Sequence, residues 1–224
     1  MALKMIGACL IVAAIGYLLG EILFGVLISK VFFHDDVRNH GSGSAGMTNM
    51  LRSYGKLAGA ATAVGDIGKS FVAVLLGRLV FAAMLPGVDL EPMCGAYLAG
   101  IFVVIGHVKP AIFGFKGGKG VLAGAGSALA TEPLVCLGLL VVFLIEFAIT
   151  RIVSLGSIIV AILYPVATLC FWAWKGANMA SMLFIGVCSI VMAAMVVYMH
   201  RSNITRLRNG TEYRFGEKKK INKD

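Results

Sequence analysis

The chain has 224 residues, 59% hydrophobic and only 14% charged, with a mean hydropathy of +0.90. Soluble domains carry roughly 25% charged residues, so this composition leaves no room for a soluble domain and predicts an all-α polytopic membrane protein. The net charge of +9 is a property of one membrane face, where it serves topology and attraction to anionic lipid; it is not a nucleic-acid footprint.

In chain order, the first apolar run, "GACLIVAAIGYLLGEILFGVLI", follows Lys4 but is long for a signal sequence and has no convincing cleavage site, so it is kept as a span near 5 to 28. Further runs predict spans near 57 to 79, 93 to 106, 119 to 131, 134 to 150, 155 to 173 and 179 to 199, which makes seven transmembrane helices. Glu132-Pro133 separates the fourth from the fifth, because proline interrupts a helix. Asp66 and Lys69 stand three residues apart in the second span, on one helical face. Glu21 and Glu146 are also costly at membrane depth, and Glu146, beside Arg151 near a span end, reads as structural. Cys9, Cys94, Cys136, Cys170 and Cys188 all fall in apolar runs without ligand spacing and read as small buried hydrophobes.

With seven spans, the segments 29 to 56, 107 to 119, 150 to 154 and 200 to 224 share a side and hold 16 of the 20 Lys and Arg. The positive-inside rule then places the N-terminus outside and the C-terminus in the cytoplasm. Residues 1 to 224 form a single integral-membrane domain, with 201 to 224 a basic cytoplasmic tail.

Two polar stretches on the basic side carry chemistry. "NHGSGSAGMTNMLRSYGK", residues 39 to 56, surrounds Arg52 with Ser42, Ser44, Thr48 and Asn49, and an arginine fork suits bidentate phosphate binding. "GHVKPAIFGFKGGKG", residues 106 to 120, sets Gly117, Gly118 and Gly120 around Lys116 and Lys119 where a helix begins. Glycines let successive N–H groups converge, and a helix start and two ammonium groups add positive charge, so this is an anion cradle fitted to phosphate. It lacks Walker A spacing. His200, Asn203 and Arg206 then fall on one side of a helix expected to continue from the last span.

These stretches, with "RIVSLGSI" (151 to 158) and "HRSNITRLRNGTE" (200 to 212), closely resemble the motifs of the bacterial acyl-phosphate:glycerol-3-phosphate acyltransferases, the PlsY family. The similarity runs in the same order over nearly the whole chain. It implies a seven-helix inner-membrane enzyme that acylates the 1-hydroxyl of glycerol 3-phosphate from acyl phosphate, releasing lysophosphatidic acid and phosphate, with its active site on the cytoplasmic face and no cofactor. It implies active-site roles for Ser42, Arg52, Lys116, Ser157, His200 and Asn203, with Ser44, Thr48, Asn49, Gly117, Gly118, Lys119, Gly120 and Arg206 binding substrate. The chain departs from the family pattern at Ser44, where asparagine is usual, at Met47, where alanine is usual, and at Gly20-Glu21, where Gly-Ser is common.

Other classes fit less well. A carrier would favour internal repeats and midplane sites, whereas these motifs gather at one face. A metal-dependent phosphotransferase needs several aspartates in one helix pair, and Asp66 is the one aspartate in a span. No metal is expected. A cysteine placed at Asn222 should react with an impermeant thiol reagent only after the membrane is opened, in a background controlled for the native cysteines. Labelling in intact cells would invert the topology or remove a span.

Overall fold

The computed structural model describes residues 1–87 and 92–216. The lysines at 218 to 220, the end of the expected basic tail, lie outside the described residues. Among the described residues the fold is helical: α1 (Ala2–Gly20), α2 (Phe24–Phe33), α3 (Met47–Tyr54), α4 (Lys56–Met84), α5 (Met93–Val108), α6 (Val121–Thr131), α7 (Pro133–Thr150), α8 (Val153–Trp174), α9 (Met179–Met199) and α10 (Arg201–Arg208).

Among the described residues six stretches are long and apolar enough to cross a membrane: Ala2–Phe33, Lys56–Met84, Met93–Phe113, Pro133–Thr150, Val153–Trp174 and Met179–Met199. The remaining expected span, the fourth, corresponds to α6, which has 11 residues. At about 1.5 Å per residue it covers roughly 16 Å, half of a hydrocarbon core about 30 Å thick. The expected helix over 119 to 131 shortens because Gly120 is left-handed, with φ +83°, and the helix starts only at Val121. At its far end the interruption at Glu132-Pro133 is as expected, with Pro133 opening α7, where its missing N–H costs nothing.

The first span is present but is not one continuous helix. It breaks between Gly20 and Phe24, with Leu23 extended, which leaves backbone groups at a helix end without intrahelical partners. The ammonium of Lys69 takes two of them, bonding the carbonyls of Gly20 at 3.0 Å and Ile22 at 2.6 Å. Lys69 and Asp66 pair as the i,i+3 spacing predicts, with Nζ 3.1 Å from Oδ1.

Small residues let the helices meet at backbone distance. A Cβ at Gly20 would lie 2.4 Å from the carbonyl oxygen of Val103, and one at Gly106 would lie 2.3 Å from that of Tyr17, so α1 and α5 touch along their main chains. Gly77 and Gly95 do the same for α4 and α5. Around this crossing a core forms from Val12, Phe81, Tyr97, Val103, Val104, Ile185 and Met192. The opposite extreme is α7, which has no buried residue and presents Leu137, Leu140, Leu144 and Ile149 outward. Cys170 is likewise exposed on α8, unlike the buried reading of the cysteines.

At the end of the bundle away from the polar loops, the fully buried Glu132 accepts hydrogen bonds from the hydroxyls of Tyr97 and, at 2.8 Å, Thr168. Trp172 Nε1 extends the network by donating to Tyr97 Oη at 2.8 Å. Nearby, Trp174 is 72% exposed, with the Lys175 ammonium over its ring.

Gly106→Ala is expected to destabilise the detergent-solubilised protein by about 1–3 kcal/mol, the range for overpacking a tight contact. Gly138→Ala, where an added Cβ meets nothing within 4 Å, is the control and should leave the thermal unfolding midpoint unchanged or slightly higher.

Candidate functional site

The loop from 34 to 46 is shaped from within. Asn49 is buried, and its amide nitrogen donates to the carbonyls of Val37, His40 and Ser44 at 2.9, 3.0 and 2.9 Å while its oxygen accepts from Ser42 N–H at 3.0 Å. Every polar atom of that side chain is committed to the loop, so Asn49 shapes the site rather than presenting an amide to a ligand. Gly41 adopts φ +55° against it, where a Cβ would collide with the Asn49 oxygen. Ser42 is exposed, and Ser44 Oγ accepts from Gly46 N–H at 3.4 Å. Gly46 caps α3 without a side-chain bond, and Thr48 and Arg52 follow on one face of that helix.

The second loop is fastened to α1 and to the first loop. Glu21 accepts from the N–H groups of Ala111 and, at 3.3 Å, Ile112, and Tyr17 Oη donates to Lys109 O at 2.9 Å. Arg38 donates to the carbonyls of Phe113 at 3.1 Å and Lys116 at 3.2 Å while bonding Asp36 at 2.7 Å. Gly118 N–H then bonds the His107 carbonyl at 3.0 Å. Lys116 and Lys119 therefore part company. The Lys116 side chain is exposed, and among the described residues no hydrogen bond or ion pair joins its ammonium to the cluster formed by Lys119.

That cluster centres on a carboxylate. Lys119 Nζ donates to Asn203 Oδ1 at 2.6 Å, and Asn203 Nδ2 donates to Glu212 Oε1 at 2.7 Å. Ser154 Oγ donates to the same oxygen at 2.7 Å, and Arg206 Nε bonds Oε2 at 2.6 Å. Arg52 lies over the Tyr213 ring, 3.8 Å from its centroid, which joins α3 to the segment after α10. Phe215 N–H bonds the Arg151 carbonyl at 2.7 Å and pins that segment to the α7–α8 turn. Asn203 and Arg206 share α10, but the expected continuous helix is interrupted: α9 ends at Met199, and His200 sits at the junction. Ser157, one turn beyond Ser154 on α8, is buried with its hydroxyl on the Val153 carbonyl at 2.8 Å.

Glu212, Ser154 and Tyr213 were not among the residues singled out from sequence. Glu212 had a signal, being the one carboxylate in the stretch from 200 to 216. Ser154 and Tyr213 had none beyond their neighbours.

Burial pulls the Lys119 pKa down to about 8, with Glu212 opposing the shift and Arg206 and Arg52 adding to it. Burial also depresses Arg52, against the pull of Tyr213 and Glu212. For Glu212, burial acts upward, but hydrogen bonds from Ser154, Asn203 and Arg206 outweigh it and leave the carboxyl below its ordinary value. His200 is pushed down to about 4, chiefly by burial and in part by Lys119. It is therefore a neutral imidazole near pH 7, and its Nδ1–H bonds the Val196 carbonyl at 2.8 Å, leaving Nε2 as an acceptor. Three cations around one carboxylate give the cluster an excess of positive charge. Among the described residues no group of His, Cys, Asp or Glu is arranged to hold a metal.

A polytopic helical protein with such long apolar helices is an integral membrane protein, and the cluster lies at one end of its bundle. A family model described as glycerol-3-phosphate acyltransferase matches residues 10–210. The glycerol-3-phosphate acyltransferase of Clostridioides difficile is 42% identical over 94% of this chain and 97% of its own length. That of Thermosynechococcus vestitus is 41% identical over 92% and 94%. Crystal structures of PlsY, an integral membrane glycerol 3-phosphate acyltransferase, superpose on the chain at 36% identity. The glycerol 3-phosphate form has a TM-score of 0.77 over 93% of this chain and 96% of that one, and the lysophosphatidic acid form has 0.75 over 93% and 95%. The chain belongs to the glycerol-3-phosphate acyltransferase family, the PlsY acyltransferases of phospholipid synthesis.

The Lys119 charge is lost as pH rises through about 8, so kcat/KM is expected to fall on an alkaline limb near that pH. Glu212 raises the Lys119 pKa, so Glu212→Gln should move the limb to lower pH. A limb unmoved in a well-folded Glu212→Gln protein would separate Lys119 from the pH dependence.

Proposed function

We propose that the chain transfers an acyl group from acyl phosphate to the 1-hydroxyl of glycerol 3-phosphate, giving lysophosphatidic acid and inorganic phosphate. The observation that carries this is the meeting of Lys119, Arg206 and Arg52 around Glu212 at the helix end reached by the glycine turn. Both substrates are phosphorylated, and bringing two anions together demands such an excess of fixed positive charge. Membership of the family supports the acceptor, and the family motifs that carry Ser42, Thr48 and Lys116 support their use in binding.

An acyl phosphate is already activated, so no protein nucleophile is needed. The 1-hydroxyl oxygen bonds to the acyl carbon, the carbon–oxygen bond to phosphate breaks, and phosphate leaves. Lys119, Arg52 and the N–H groups of Lys119 and Gly120 at the start of α6 stabilise the charge that develops on the carbonyl and leaving oxygens. Neutral His200 accepts a hydrogen bond from the attacking hydroxyl at Nε2 and orients it. With its pKa near 4 it is a weak base, whereas a phosphate monoester has a second pKa of about 6, so substrate phosphate is the better final acceptor of the proton. Ser157 and Asn203 hold the α8 and α10 walls of the site.

The protein sits in the bacterial inner membrane with this cluster in the cytoplasm, the N-terminus outside and seven crossings. One observation supports seven: α7 starts beside Glu132 and returns to Arg151, so the chain between the glycine turn and Pro133 has changed sides although α6 itself covers only about half of the core. The acyl chain reaches the site laterally past the lipid-facing α7.

Purified protein with palmitoyl phosphate and glycerol 3-phosphate should release phosphate, and palmitoyl-CoA should replace the donor poorly, with kcat/KM down by roughly two orders of magnitude or more, about 2.7 kcal/mol in transition-state binding. Comparable turnover with the thioester would overturn the donor assignment.

A further inference from the structure

Asp66, Lys69 and His107 form a buried group that the chemistry above does not use. Asp66 is 1% exposed, Lys69 6% and His107 3%. An ammonium has three N–H bonds to give. Lys69 gives them to the carbonyls of Gly20 and Ile22 and to His107 Nδ1, the last at 3.0 Å. Asp66 Oδ1 lies 3.1 Å from the ammonium and 3.6 Å from His107 Nδ1, beyond hydrogen-bond reach of the ring, so it supplies charge to both and leaves the three ammonium protons to the other acceptors. The pair is net neutral, the form in which charge is tolerated at membrane depth.

This geometry fixes the imidazole. Since Lys69 can only donate, Nδ1 must be the accepting nitrogen, and the ring proton is on Nε2. Nε2 faces the glycine turn so closely that a Cβ at Gly118 would lie 2.1 Å from it. The other end of the same residue reaches the turn too: the His107 carbonyl accepts from Gly118 N–H at 3.0 Å, and a Cβ at Gly117 would lie 2.0 Å from that oxygen. Ring and carbonyl of one α5 residue thus clasp both glycines immediately before Lys119.

We propose that Asp66, Lys69 and His107 are positioning residues, a neutral relay that fixes the His107 tautomer and through it the glycine turn presenting Lys119 to a substrate phosphate. The proposal rests on the reading of that turn as a phosphate cradle. It explains why Lys69 is placed against partners 49 and 38 residues away in sequence: it joins the broken end of α1 to the start of the cradle. With the relay intact the turn has one conformation; without it the imidazole is free to exchange tautomers and rotate away from Gly118.

The test compares the full-length wild type, Lys69→Met and Asp66→Leu/Lys69→Met, each purified in detergent. The double variant removes both charges together and so leaves none unpaired if the single variant fails to fold. Binding of inorganic phosphate is followed by calorimetry. The His107 tautomer is read from ¹⁵N–¹H correlations of histidine-labelled protein, assigned with His107→Asn. The wild type is expected to bind phosphate and to show protonated Nε2. The variants should bind at least tenfold more weakly and show a mixed or reversed tautomer. Folded double variant with wild-type affinity and an unchanged tautomer overturns the relay, as does a wild type that binds no phosphate. A wild type that binds phosphate but transfers no acyl group would sink the acyl-transfer reading and leave the relay standing.

Discussion

Hydrocarbon offers no hydrogen bonds, so every interruption of a helix within the bundle must be answered by a side chain. The break in the first span exposes two carbonyls, and Lys69 answers them from α4. The segment leaving α5 exposes N–H groups at Ala111 and Ile112, and Glu21, at the same break, answers those. The glycine turn is left with its backbone folded onto His107. The polar loops hold their shape because their anchors are buried charges whose own alternatives are worse.

At the α6 start the same constraint takes an electrostatic form. A carboxylate in the proposed anion site looks self-defeating, since it would repel the ligand. Here Glu212 lies within reach of Ser154, Asn203 and Arg206 and keeps a burial-depressed Lys119 protonated to a higher pH than it would otherwise reach. It also ties α8 to α10 before any ligand arrives. Part of the attraction for the anion is given up in exchange for cations that are already oriented. His200 contributes no charge, being held neutral by burial beside Lys119.

The legible part of the sequence was local. Span positions came from apolar runs, the α6–α7 boundary from Glu132-Pro133, and the Asp66–Lys69 pair from its spacing. The break at Glu21 was hidden because its neighbours are apolar on both sides, and the signal for it, a lysine in another span, is 49 residues from Gly20. The shortness of α6 was hidden because Lys119 and Gly120 read as helix until Gly120 is found left-handed. Asn49 read as a ligand group because an amide in a glycine loop suits anions; only the fold reveals that its two N–H bonds are shared among three loop carbonyls. Lys116 and Lys119, three residues apart in one motif, could not be told apart by composition, since the difference is which one reaches α10.

The two tryptophans of the chain both lie on α8, in the turn after Thr168, beside the Glu132 network and away from the polar loops. Trp172 is fixed by its bond to Tyr97, while Trp174 is largely exposed over Lys175. Intrinsic fluorescence therefore reports on one end of the molecule, with one emitter in a rigid polar contact and one open to lipid-borne quenchers. Loosening of the loops around Lys119 would leave that emission untouched, and an optical melting curve would record the survival of the wrong end.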